Sequence, residues 1–239
     1  MGTHVLDKEF IFIGDENPPG VGSADGSLWR SKITGSGPPT VLTDNGFMTL
    51  NLQGDLEDQV AVLYLGDELS FDIDLIQQVD FYLKLSTATL HAAISAAWGL
   101  CSAHNNDPDL MTALAAFRLY GCNNVVVETD DGVNNNDDVA TGQVLSTSVK
   151  RFTIDFASGI KTVVPPPSVG GKANVLFSVD DARGNLQAVA RTTRFDMSNY
   201  SSGLQLFAQI QKGAASSVIA ESVAASMLLE RIRVRYKSQ

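Results

Sequence analysis

Apolar and polar residues alternate with a period of two through segment after segment of this chain. QVAVLYLG sets Val60, Val62 and Tyr64 on one face, and VDFYLKLS sets Val79, Phe81, Leu83 and Leu85 against Asp80, Tyr82 and Lys84. ELSFDID offers Leu69, Phe71 and Ile73, and RFTIDF offers Phe152, Ile154 and Phe156. NVLFSVDDARGN continues with Val175, Phe177 and Val179, then breaks at a polar turn. LQLFAQIQ alternates Leu204, Leu206, Ala208 and Ile210 with Gln205, Phe207, Gln209 and Gln211. A strand turns successive side chains to opposite faces, so these segments predict half-buried antiparallel strands.

ATLHAAISAAWGL and DPDLMTALAAFRLYG are rich in alanine and would suit helices on propensity alone. Leu90, Ala92, Ile94, Ala96 and Trp98 alternate, however, and both segments are read as strands. AESVAASMLL is read as a short helix. Gly, Asn, Asp and Pro turns part the strands, and the whole predicts an all-β, antiparallel β-sandwich of jelly-roll type.

A chain of 239 residues fits one such domain. A core of that size buries about 70% of the unfolded surface and needs no metal or disulfide staple. Residues 14–46 are dense in Gly, Pro, Ser and Asp, which resist forming a core. Residues 1–46 are therefore expected as an extended N-terminal arm and 47–239 as a single sandwich. The arm carries Phe10, Ile11, Phe12, Leu28 and Trp29 as apolar anchors, for docking onto its own domain or onto a partner.

The formal net charge of −10 argues against a general nucleic-acid binder. The first residues lack a basic stretch followed by a long apolar run, so no secretory signal is expected. No stretch approaches the roughly 18 apolar residues of a membrane-spanning helix. Cys101 and Cys122 cannot build a disulfide framework and are read as two reduced thiols.

ETDDGVNNNDDVATG, residues 128–142, is the stretch closest to chemistry, with Asp130, Asp131, Asp137 and Asp138 crowded around three asparagines. An EF-hand needs Gly at the sixth loop position, which would put Val127 first, where no ligand oxygen exists on the side chain. An irregular calcium site stays open, but Asn and Asp also favour any wide turn, and a solvated loop between strands is the expectation. Glu128 and Asp130 begin the Glu-x-Asp-x-Glu strand of some sandwich glycosidases, yet Gly132 stands where the second Glu belongs.

The G-x-S-x-G elbow is absent, and His4, His91 and His104 have no metal-ligand spacing. GVGSADG in the arm follows no clear strand and precedes no helix signal. The residues thus predict no catalytic site, no metal site, no cofactor and no enzyme activity. In ERIRVRYK, Arg231, Arg233 and Arg235 oppose Ile232, Val234 and Tyr236, and are expected on a solvated edge strand.

GDELSFDIDLIQQVDFYLKLS, WGLCSAHNNDPD, AAFRLYG, ETDDG, KRFTIDFAS and FDMSNYSSGLQLFAQIQK together resemble tailed-bacteriophage virion proteins with a concanavalin A-like or jelly-roll sandwich. The resemblance spans residues of about 47 to 236 and rests on strand and turn patterns. It implies a head decoration or cement protein on the capsid exterior, a dimer or trimer whose partner is the major capsid protein. A tail or baseplate component shares the same sandwich. The competing reading is a carbohydrate-binding, lectin-like module, to which the acidic stretch and HNNDPD would contribute.

Overall fold

A computed structural model describes residues 7–12, 29–35, 39–54, 58–65, 71–120, 122–156, 171–181, 183–212 and 225–237. Its strands are β1 (Asp7–Ile11), β2 (Trp29–Thr34), β3 (Thr40–Asp44), β4 (Phe47–Asn51), β5 (Gln59–Leu65), β6 (Ile76–Leu85), β7 (Ile94–Cys101) and β8 (Leu114–Tyr120). They continue with β9 (Asn124–Asp130), β10 (Asn135–Val144), β11 (Lys150–Asp155), β12 (Leu176–Asp180), β13 (Leu186–Val189), β14 (Gln205–Lys212) and β15 (Ser226–Tyr236). One 3-10 turn, Pro108–Leu110, interrupts them.

Two antiparallel sheets result. Seven strands run in the order β10-β9-β8-β7-β14-β5-β2. The other sheet has eight, ordered β13-β12-β11-β6-β15-β4-β3, with β1 paired to β15 beside β4. The inward sets of the alternating segments meet between the sheets. Trp98 and Phe117 project from the seven-stranded sheet, Phe152 and Phe177 from the other. Phe152 lies edge-on to Trp98 at 4.9 Å and to Phe117 at 5.2 Å, and Phe177 edge-on to Phe117 at 5.2 Å. Each such pair adds about 0.5–1.5 kcal/mol to the burial of the rings themselves.

The described parts of residues 1–46 lie in the sheets. β1 pairs with β15, β2 with β5 and β3 with β4. Asn45 (φ 50°) and Gly46 (φ 82°) close the β3–β4 hairpin with two left-handed residues, the geometry of a type I′ turn. Phe10, Phe12 and Trp29 are buried in the chain's own core, the Trp29 ring edge-on to Phe10 at 5.3 Å and to Phe12 at 5.6 Å. Ile11 points outward and is 40% exposed, and Leu28 lies outside the described residues.

Other expectations shift in detail. Phe71 makes one isolated bridge to Leu204, and Ile73 falls in a turn instead of a strand. The expected helix in AESVAASMLL is corrected over its described end, where Ser226–Leu229 begin β15; residues 220–224 lie outside the described residues. β15 is also not an edge: β6 flanks it on one side, β4 and β1 on the other. Its arginines face the outside of the eight-stranded sheet, where Arg231 stacks over Tyr82 at 3.9 Å and bonds Glu9 at 3.2 Å. Arg235 donates to Gln78 at 2.9 Å.

Cys101 and Cys122 are both free. Cys101 stands opposite Leu114 and Cys122 follows Tyr120, so the length of β8, about 20 Å, separates them.

Candidate functional site

On the seven-stranded sheet the face turned away from the main core carries its own cluster: Ala97, Cys101, Met111, Leu114, Ala116 and Phe207, with Tyr64 against it. The middle of this outer face is built from small residues. A Cβ on Gly99 would sit 2.3 Å from the Ala115 carbonyl oxygen, so β7 and β8 can approach only with glycine there. Phe207 pairs across the ladder with Gly99 and is fully buried.

Beside this trough, β8, β9 and β10 present charge. Phe117 and Val127 point into the core, which turns Arg118 and Glu128 outward. Arg118 Nη1 donates to Glu128 Oε2 at 2.6 Å and to Asp109 Oδ1 at 2.5 Å, and lies 3.8 Å from Asp138 Oδ1. Asp109 comes from the 3-10 turn, which Asp107 caps by accepting the Asp109 N–H. Asp137 and Asp138 come from β10, at a register shift between Asn136 and Val139, with Asp138 in the left-handed region (φ 44°). Carboxylate oxygens of Asp109, Glu128 and Asp137 lie within 4.8 Å of one another.

Burial is the main force on Glu128 and pushes its carboxyl up to about 7, against the bond and the charge of Arg118, which pull it down. Burial also lifts Asp138 above its ordinary value. Burial pulls the Arg118 guanidinium down, but Glu128 and Asp109 outweigh it and raise it. Three oxygens at this spacing could each offer a ligand atom to a cation. Arg118 already stands among them and supplies positive charge, which makes the group an ion-pair hub with more acid than base.

The acidic stretch thus divides into parts with different work. Asp130 accepts from the Gly132 N–H and sets the turn. Asp131 takes five N–H donors, from Val133, from the backbone and side chain of Asn134, and from the backbone and side chain of Asn199. Burial opposes ionisation there, but those bonds prevail and hold Asp131 at about 2. An oxygen pair filled by donors is a structural pin. Asn135–Val144, expected as loop, is the edge strand β10.

His104 stacks on Tyr64 (5.7 Å, interplanar 11°), and its Nε2 lies 2.8 Å from Gln209 Oε1. Burial lowers its pKa, against the bond to Gln209, which raises it. His91 does local work, its Nδ1 accepting the Ala93 N–H at 3.2 Å. His4 lies outside the described residues.

No family model and no curated protein matches the chain. Solved structures do. A native glycosidic hydrolase aligns over 100% of this chain and 99% of its own, with TM-score 0.60 and 11% identity. The laminarinase catalytic domain of Thermotoga maritima aligns over 99% of both chains, with TM-score 0.60 and 12% identity. Peanut lectin aligns over 98% of both, with TM-score 0.59 and 11% identity. The fold is a concanavalin A-like jelly roll.

The expectation of no enzyme activity is corrected by these findings, since hydrolases stand among the proteins that share the whole sandwich. The acids of this group come from a 3-10 turn, β9 and β10, so no single stretch of the sequence carries them together. None of these three structures is a virion protein by its description.

Proposed function

We propose that this chain binds a carbohydrate on the outer face of its seven-stranded sheet, with Arg118, Asp109 and Asp137 as the polar contacts. The observation that carries this reading is the Arg118-centred hub. Hydroxyl-rich ligands are held by fixed donors and acceptors set close together. The hub offers both, and the same face carries Gln209 and Gln211 on β14, two strands from Arg118, and the Tyr64–His104 stack at β5, three strands away. The lectin and the hydrolases that share the fold support a glycan ligand over a protein surface.

A second reading has its own observation. Retaining glycosidases hold two carboxyl groups about 5 Å apart, one of them protonated near neutrality. Glu128, raised to about 7 by burial, has Asp109 and Asp137 oxygens within 4.8 Å, and its buried side chain has to part from Arg118 before it can reach a sugar. In that case Glu128 protonates the leaving oxygen, and an exposed aspartate attacks the sugar carbon.

A glycan array that includes laminarin fragments, followed by an assay for new reducing ends, tests both. Saturable binding without new reducing ends supports recognition alone, and binding with them supports hydrolysis. Absence of binding across the array would sink both.

A further inference from the structure

We propose that residues 103–112 form a lid that swings off the outer face of the seven-stranded sheet as a unit, uncovering Phe207 and the trough of Ala97, Gly99 and Ala116. Cys101 ends β7 and Leu114 begins β8, and the twelve residues between them close on themselves at the base. There Ser102 donates its backbone N–H to Ala113 O at 2.9 Å, and Ala113 donates back to Ser102 Oγ at 3.1 Å. A loop whose ends meet in this way is an Ω-loop, able to move without breaking the strands it joins.

What holds it down differs from what holds a strand. Among the described residues, the hydrogen bonds that tie 103–112 to the sheet run through side chains. Gln209 Nε2 donates to Asn106 O at 2.5 Å, and Gln209 Oε1 accepts from His104. Asp109 meets Arg118 at one corner, and Asn106 Nδ2 reaches Thr34 Oγ1 at 3.5 Å at the other. Met111 is an apolar pin, buried with Cys101, Leu114 and Phe207; Pro108 is buried as well, and the His104 ring lies against Tyr64 and Phe207. Leu110, next to Met111, is 67% exposed and anchors nothing. Segments held by a few side chains open at lower free energy than the ladders beneath them.

The lid reading goes beyond the glycan proposal and rests on it in one respect: opening lifts Asp109 off Arg118 and lets the sugar chain extend along the trough, and closing brings Asp109 back onto the sugar. The buried Cys101 thiol reports opening by itself, without any ligand. In a Cys122→Ser background at about pH 8, Cys101 is labelled with a disulfide reagent across urea concentrations below the unfolding transition. A lid predicts a labelling rate nearly independent of urea, and a rise of roughly tenfold or more in Met111→Ala, with the sheets still folded by circular dichroism. A rate that climbs with the same urea slope as global unfolding, in both proteins, overturns the lid. Laminarin fragments are then added. A glycan that binds and changes Cys101 labelling supports the link to the ligand, and one that binds without changing it overturns that link. Failure of the glycan to bind counts against the glycan proposal and leaves the labelling result for the lid standing.

Discussion

Asn199 donates both its backbone N–H, at 3.0 Å, and its side-chain amide, at 3.1 Å, to the same Asp131 oxygen. The two residues are 68 positions apart, and the bond ties the β9–β10 turn to the segment leading into β14. Asp131→Ala leaves five N–H groups without their acceptor. It is expected to cost about 3 kcal/mol in urea unfolding. Because Asp131 acts as a pin, the loss should be equal in EDTA and in calcium. A loss confined to calcium buffer would make Asp131 a cation ligand.

Glu128 and Asp131 pull the pH dependence of stability in opposite ways. The carboxyl of Glu128 is raised from 4.5 to about 7, so its contribution is fully present below about pH 4.5 and is lost as pH rises through 7. Asp131 is lowered from 3.8 to about 2, so its contribution is present above 3.8 and is lost as pH falls through 2. Wild type should be most stable near about pH 4 to 5. Glu128→Gln should flatten the decline between pH 5 and 8 in a series of thermal melts. An unchanged decline in that variant would assign the slope to other groups.

The close approach of β7 and β8 makes a sharp prediction at Gly99. The Cβ of Gly99→Ala would fall 2.3 Å from Ala115 O and 2.7 Å from Ala116 Cα, both backbone atoms that cannot rotate away. The variant should lose more than about 3 kcal/mol or fail to fold. Phe207→Ala, which empties the covering ring, should lose about 3–5 kcal/mol. Gly142→Ala, with φ 70° but nothing within 4 Å of its Cβ, should lose only about 1 kcal/mol.

How much of this was legible depends on how local the signal is. Period-two patterns located β5, β6, β11, β12, β14 and β15, because each has one face in the core and one outside. The alternation of Ile94, Ala96 and Trp98 outweighed alanine's helix propensity for β7 in the same way. Composition misled where an edge position relaxes the demand for β-formers. β10 is polar, carries two register shifts and pairs on one side only, features that also protect an edge from pairing with another chain. Asn45-Gly46 is a strong hairpin signal that the Gly- and Pro-rich surroundings masked. The Arg118 hub was out of reach, because Asp109, Glu128 and Asp137 meet only after the segment 102–113 folds back over the sheet.

The arginines of β15 show the same limit. Alternation put Arg231, Arg233 and Arg235 on one face, but only strand order reveals that the strand is central. Arg231→Ala removes a ring contact with Tyr82 at 3.9 Å and a part-exposed pair with Glu9. The expected cost is about 1 kcal/mol, mostly from the ring contact, since the exposed pair is screened. A Tyr82–Arg231 double-mutant cycle measures it, and a coupling of zero would remove the contact from the account.

The most direct measurement is calorimetric titration of laminarin-derived oligosaccharides into wild type, Arg118→Ala and Arg151→Ala, each first shown to be folded by thermal melting. Arg151 lies on the outside of the other sheet and serves as the control. Saturable binding to wild type, weakened by roughly tenfold or more in Arg118→Ala and unchanged in Arg151→Ala, is the predicted result. Equal affinity for all three proteins would contradict the placement of the site on the seven-stranded sheet, and no binding to wild type would contradict the glycan reading.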